Sequence, residues 1–94
     1  VTPPLADLAS RLMTVSDRYA ARHAIDRSGD WPVLKLAEEL GELTQAYLRR
    51  DGRARGAPAD PKAALTEEAA DLLATLLLFA HREGLDLDAA LDAK

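Results

Sequence analysis

Leu5, Leu8, Leu12, Val15 and Tyr19 fall at the three- and four-residue intervals that place side chains on one side of a helix. That spacing predicts a first amphipathic helix from about Leu5 to about Ile25. Pro3-Pro4 precedes it and cannot extend it backwards. Ser28-Gly29-Asp30 breaks the pattern, and Asp30 is placed to cap the next helix. A second periodic stretch, from about Pro32 to Arg50, carries the stripe Val33, Leu36, Ala37, Leu40, Leu43, Thr44 and Tyr47 and ends at Asp51-Gly52. Residues 51–60, rich in Gly, Pro, Ala and Arg, read as a mobile loop. Asp60 followed by Pro61 opens a third helix that runs to about Glu83, where Gly84 stops it. Asp86 can cap a short fourth helix through Ala93.

The third helix is apolar on two sides. Leu65, Ala69, Leu72, Leu76 and Phe79 make the face expected to meet the other helices. Ala70, Ala74 and Leu77 form a second strip, with Leu73 between the two. A helix apolar nearly all round must be buried nearly all round. In a chain of 94 residues, which buries only roughly 60–65% of its unfolded surface, a partner subunit is the simplest cover for that second strip. Few residues are β-branched, and the apolar fraction is mostly Ala and Leu. The expected architecture is therefore all-α: one domain over residues 1–94, a compact bundle of about four helices, assembled as a homodimer or homotetramer.

Charge and composition narrow the chemistry. A net charge of −4 argues against a nucleic-acid surface. With no cysteine, there is no disulfide framework, zinc–thiolate site or thiol nucleophile. The longest strongly apolar run, Leu72 to Ala80, is too short to cross a bilayer, and no signal-peptide pattern opens the chain. A cytoplasmic protein is expected, and the absent initiator Met is read as trimming at the start, with the far end open to the same.

Against that background stand two acidic motifs, Glu38-Glu39-Leu40-Gly41-Glu42 and Glu68-Ala69-Ala70-Asp71. Each pairs carboxylates three residues apart, and so on one side of its helix. At about 100° per residue, Lys35, Glu39, Glu42 and Ala46 share a stripe beside the apolar face of the second helix. Glu68, Asp71, Thr75 and Arg82 hold the corresponding stripe on the third. Packed antiparallel, the two helices would aim Glu39, Glu42, Glu68 and Asp71 at one spot. Four converging carboxylates repel unless cations fill the site, and hard divalent ions such as magnesium favour oxygen ligands. For Glu38 or Glu67 singly, an ordinary solvated helix face competes with any functional role.

The ordered pair of motifs resembles the MazG-like family of all-α nucleoside triphosphate pyrophosphohydrolases, whose pattern is Glu-Glu-x-x-Glu, a loop, then Glu-x-x-Asp. The match runs through Lys35-Leu36-Ala37-Glu38-Glu39-Leu40-Gly41-Glu42-Leu43 and Glu67 to Leu78, with Gly84 to Ala90 and Lys94 similar to the family's closing helix. It is strongest over residues 31–94. The resemblance implies an enzyme that uses Mg2+, for which Mn2+ can substitute, to cleave a nucleoside triphosphate between its α and β phosphates. Nucleoside monophosphate and pyrophosphate are the products. By matching positions, Glu39, Glu42, Glu68 and Asp71 would hold the metal, and Glu38 falls where some relatives place the base that activates water. Lys94 matches a substrate-binding position, although the Asn and basic residue that usually follow it are absent here.

Lys35, one turn before Glu39, has two readings: a phosphate contact or a salt bridge. Arg49, Arg50, Arg53 and Arg55 could close over a triphosphate, but a solvated flexible linker is the expected role. Trp31 could stack on a base or pack where the second helix starts; packing is expected. His23 and His81 are read as surface residues. The rival enzymatic reading is phosphoribosyl-ATP pyrophosphohydrolase, with the same metal logic. The rival of another class is a non-catalytic helical module that binds a protein partner through Ala70, Ala74 and Leu77. A di-iron carboxylate site is set aside, since no Glu-x-x-His pair occurs.

Overall fold

The computed structural model describes residues 3–94 and is all helical there: α1 (Pro4–His23), α2 (Trp31–Arg50), α3 (Pro61–Glu83) and α4 (Leu87–Asp92). Proline stands in the first turn of each of the three long helices, where its missing N–H costs nothing. The third helix matches the expected bounds at both ends. Asp60 Oδ1 accepts a 3.0 Å hydrogen bond from the Ala63 N–H, and Gly84 closes the helix in the left-handed region at φ 69°, a conformation glycine adopts without a Cβ penalty. Asp86 caps α4 in the same way as Asp60, through the Ala89 N–H at 3.0 Å. Asp30 does occupy the position before α2, but its backbone is helical (φ −82°, ψ −1°) and its side chain makes no capping bond. A capping side chain reaches back only from an extended backbone.

α3 lies in the middle, packed by α2 on one side and α1 on the other, while α4 turns back onto α1. That arrangement corrects the sequence reading of which strip faces inward. Leu77, assigned to a strip awaiting a partner, is the most buried of the described residues at 2% exposure. Leu73 and Leu76 stay largely exposed. Leu77 is thus spent inside the chain, whereas Ala70 at the other end of the same strip stays exposed and Ala74 is half-buried. The other inward contacts are mostly alanines: Ala9 and Ala20 on α1, Ala46 on α2 and Ala80 on α3. Small side chains let the helix axes approach closely, and larger ones flank the seam. Each outer helix is accordingly rotated from the expected face, leaving Val15 and Tyr19 on α1 and Val33, Leu40 and Tyr47 on α2 exposed.

One tertiary contact substitutes for a missing cap. Pro3 precedes α1 and offers no side-chain acceptor. The carboxylate of Asp88 on α4 accepts from the backbone N–H of Leu5 and of Ala6, each at 3.0 Å. It satisfies two of the orphan donors at the helix start and sets a negative charge at the positive end of its dipole. The helices form a slab with extents of 42 × 38 × 21 Å and a radius of gyration of 15.2 Å, against about 12 Å for a fully compact chain of this length. No helix among the described residues is long and apolar enough to cross a membrane.

Candidate metal centre

The α2–α3 seam decides where the acids go. Ala46, on the acidic stripe of α2, is 6% exposed, so that stripe lies closer to the middle of the seam than its position beside the apolar face suggested. Glu39, one and a half to two turns earlier on the same side, has a side chain only 12% exposed. Across the seam, Glu68 is half-buried and Asp71 exposed. One carboxylate oxygen from each of Glu39, Glu68 and Asp71 lies within 4.8 Å of the others. Three of the four acids expected at one spot, from motifs separated by the loop in sequence, thus lie together, and Glu42 is not among them.

The trio is electrostatically uncomfortable without a cation. Partial burial raises the Glu68 carboxyl above its ordinary range, and the charges of Asp71, Glu42, Glu39 and Glu67 push it further the same way. A carboxylate whose charge is disfavoured first by burial and then by its anionic neighbours is one that a divalent cation would relieve. The donor set is all oxygen, which suits a hard ion and not a thiophilic one, so the residues present fit the metal that the sequence implies. Glu42 stands outside the group of three but close enough for its charge to act on Glu68.

Lys35 supplies the one cation seen against this cluster among the described residues. Its Nζ lies 3.1 Å from Glu38 Oε1 and 3.3 Å from Glu39 Oε1. Burial lowers the affinity of that amine for its proton, but the hydrogen bonds to Glu38 and Glu39 outweigh it and hold the amine above its usual range. Glu38 itself is exposed and turned to Lys35. Lys94 is exposed beyond α4 and has no side-chain hydrogen bond or ion pair among the described residues. The loop arginines are engaged locally: Arg50 and Arg53 bond Asp51 at 2.9 and 3.4 Å and lie over the Tyr47 ring, while Arg49 Nε donates to the Arg55 carbonyl at 3.1 Å. His23 and His81 are exposed, as expected.

Sequence reasoning missed the role of Arg27. It leaves the α1–α2 connection to bond Ser16 at 3.0 Å and Asp17 at 2.8 Å, and its carbonyl accepts from Arg82 Nη1 at 3.1 Å. Thr75 shares the acid-bearing stripe of α3 and its hydroxyl donates to the Asp71 carbonyl at 2.8 Å, whereas Arg82 lies about three turns further along that stripe.

A family model described as phosphoribosyl-ATP pyrophosphohydrolase matches residues 11–93. It reaches into α1, well upstream of the motif-level resemblance. No curated protein and no solved structure matches the chain. With converging carboxylates on α2 and α3 and a match over most of its length, the chain belongs to the phosphoribosyl-ATP pyrophosphohydrolase family, within the MazG-like superfamily of nucleotide pyrophosphohydrolases.

Proposed function

We propose that this chain is a magnesium-dependent enzyme that hydrolyses the α–β phosphoanhydride of a nucleoside triphosphate, releasing nucleoside monophosphate and pyrophosphate, and clears surplus or aberrant nucleotides from the cytoplasmic pool. The observation that carries the reading is the approach of Glu39, Glu68 and Asp71 to within 4.8 Å of one another in a chain of this family. Those three, with Glu42 beside them, would hold magnesium, or manganese in its place. The bound ion would offset phosphate charge, polarise phosphorus and make a coordinated water more acidic. In the reaction a water oxygen forms a bond to phosphorus, the bridging P–O bond breaks, and pyrophosphate leaves. Glu38, next to the trio in sequence and solvent-exposed, is assigned as acceptor of the water's proton. Lys35, and Lys94 at the far end of the chain, are assigned to substrate phosphates.

A second reading, phosphoribosyl-ATP as substrate, is favoured by the description of the matching family; the reaction at phosphorus is the same. Assembly as a homodimer or homotetramer belongs to the proposal. It is supported by exposed Val33, Leu40 and Tyr47 at seven-residue spacing on α2, by exposed Leu73 and Leu76 on α3, and by the thinness of the slab. The test is a pyrophosphate-release screen with magnesium over standard and modified nucleoside triphosphates and phosphoribosyl-ATP, with Glu39→Ala and Asp71→Ala alongside. Both variants are expected to lose at least about a hundredfold in turnover, the order expected when a residue central to transition-state charge is removed. Unchanged turnover in both would sink the assignment.

A further inference from the structure

The cleft beside the carboxylates has one wall that belongs to neither acid-bearing helix. Its volume is about 350 Å³. Lys35 on α2 and Thr75 on α3 line it one turn from the acids, and Met13 and Ser16 bring the middle of α1 to its far side. α1 is fixed at its beginning. There the Asp88 carboxylate holds the Leu5 and Ala6 amides at 3.0 Å, and Ala9 is buried beside Leu77 and Ala80. Further along, α1 has no extensive contact with α2, and Val15 and Tyr19 face solvent. Ala20, buried in its last turn, lies where the connection folds back, the Ile25 amide bonding the Ala20 carbonyl at 2.9 Å.

One residue ties the middle of α1 to the α2–α3 hairpin. The Arg27 guanidinium, on the connection between α1 and α2, grips the two α1 residues that line the cleft. Its Nη1 donates to Ser16 Oγ at 3.0 Å and reaches Met13 Sδ at 3.9 Å, and its Nη2 pairs with Asp17 at 2.8 Å. The Arg27 carbonyl is held in turn by Arg82 Nη1 of α3 at 3.1 Å. The tie thus runs through one side chain and one peptide group. The side chains of the Arg27–Asp17 pair are 31% and 58% exposed, so water competes for it and the pair is of the weak, reversible class. The connection turns sharply on either side of Arg27, at Ala24 and Gly29, both left-handed at φ 53° and 61°. A few residues at the end of an element are enough to take up the change in torsion of a hinge.

We infer that the middle of α1 is a movable wall of this cleft, and that Arg27, through Asp17 and Ser16, is the strap that sets how wide the cleft opens to the carboxylates. The inference rests on the pyrophosphohydrolase reading only for what the wall admits; the strap depends on the Arg27 contacts alone. Removing an exposed ion pair multiplies the unstrapped fraction by about 1.5- to fivefold. Because the pair is ionic, salt loosens it, the range of a surface charge falling from about 8 Å at physiological ionic strength to about 3 Å at 1 M.

Trp31, the single tryptophan of the chain, also lines the cleft. Quenching of its fluorescence by acrylamide, which is uncharged, therefore reads the opening without any need for turnover. Asp17→Asn and Arg27→Met are expected to raise the quenching constant by about 1.5- to fivefold, and Asp17→Glu to stay near wild type. Sodium chloride at about 0.5 M should raise the constant of wild type and leave Asp17→Asn unchanged. Thermal melts of Asp17→Asn should stay cooperative and close to wild type, so that quenching reports opening and not unfolding. In pyrophosphate-release assays Asp17→Asn is expected to raise KM by up to about fivefold with kcat within twofold, since a binding-competent state populated less of the time weakens apparent affinity in proportion. Quenching equal to wild type in both Asp17→Asn and Arg27→Met would overturn the strap, whatever the kinetics. Raised quenching with no pyrophosphate release from any substrate, wild type included, would keep the strap and refute the reaction. Raised quenching with normal turnover and an unchanged KM would overturn the wall as a gate to the carboxylates.

Discussion

On the proposed function, Lys35 and a divalent cation compete for the same carboxylate, that of Glu39, and the competition can be measured. Lys35 Nζ sits 3.3 Å from Glu39 Oε1, with the lysine side chain 32% and the glutamate side chain 12% exposed. Its other partner, Glu38, is 59% exposed at 3.1 Å. Exposed ion pairs contribute roughly 0.2–1 kcal/mol. The Glu38 contact belongs near the bottom of that range and the Glu39 contact near the top. A cation held by the trio as proposed would draw the Glu39 carboxylate away from the ammonium, at a cost of about 1 kcal/mol. Lys35→Met keeps the length and packing of the stem and removes the competitor. Affinity for Mn2+ should then rise about fivefold, at tenfold per 1.4 kcal/mol. Calorimetric titration of metal-free protein at neutral pH reads this directly, with Glu39→Gln as the variant that binds poorly. Equal or weaker binding by Lys35→Met would refute the claim that the trio is where the ion sits and that Lys35 guards it.

Two further outcomes follow from the geometry. Asp88→Ala removes the acceptor for the Leu5 and Ala6 N–H groups. Loss of a cap costs about 1–2 kcal/mol, so thermal melting should fall by roughly 5–10 °C, with Asp88→Asn between; an unchanged Tm would mean that the clasp does not form in solution. Glu68 holds its proton more tightly in the folded protein than at its ordinary value of 4.5. Its contribution is therefore full below that value and lost as pH rises through the higher folded one. Urea melts with chelator present should show the stability of Glu68→Gln gaining on wild type as pH rises, and saturating magnesium should reverse the order; parallel pH profiles would contradict the crowding of these acids.

The helices and the acid site were legible because their causes are local or periodic. Asp60-Pro61 and Gly84 bound α3 correctly because a cap, a first-turn proline and a left-handed glycine act within a turn of the residues they organise. The approach of Glu39, Glu68 and Asp71 was legible because helical spacing puts each acid pair on one side of its helix, whereas the position of Glu42 outside the group of three depends on how α2 is turned. The rotation of each helix was not legible. Large leucines dominate a hydrophobic pattern, whereas the seams formed at Ala9, Ala46 and Ala80, whose small size matters only once a second helix arrives. Leu77 changed from presumed partner contact to core for the same reason: the sequence does not state that α1 and α2 take opposite sides of α3. The Asp88 contact with Leu5 and Ala6 was beyond reach, because nothing local ties residues so far apart.

That last contact also sets an order of events during synthesis. The first helix leaves the ribosome with its leading amides unanswered, and Asp88 is made only 83 residues after Leu5. Until then α1 has neither its cap nor the second half of α3 to rest on. Closing so long a loop makes the seating of α1 a late and topologically demanding step. The α2–α3 hairpin, joined by residues 51–60, can instead form first and bring the carboxylates together before Asp88 is made.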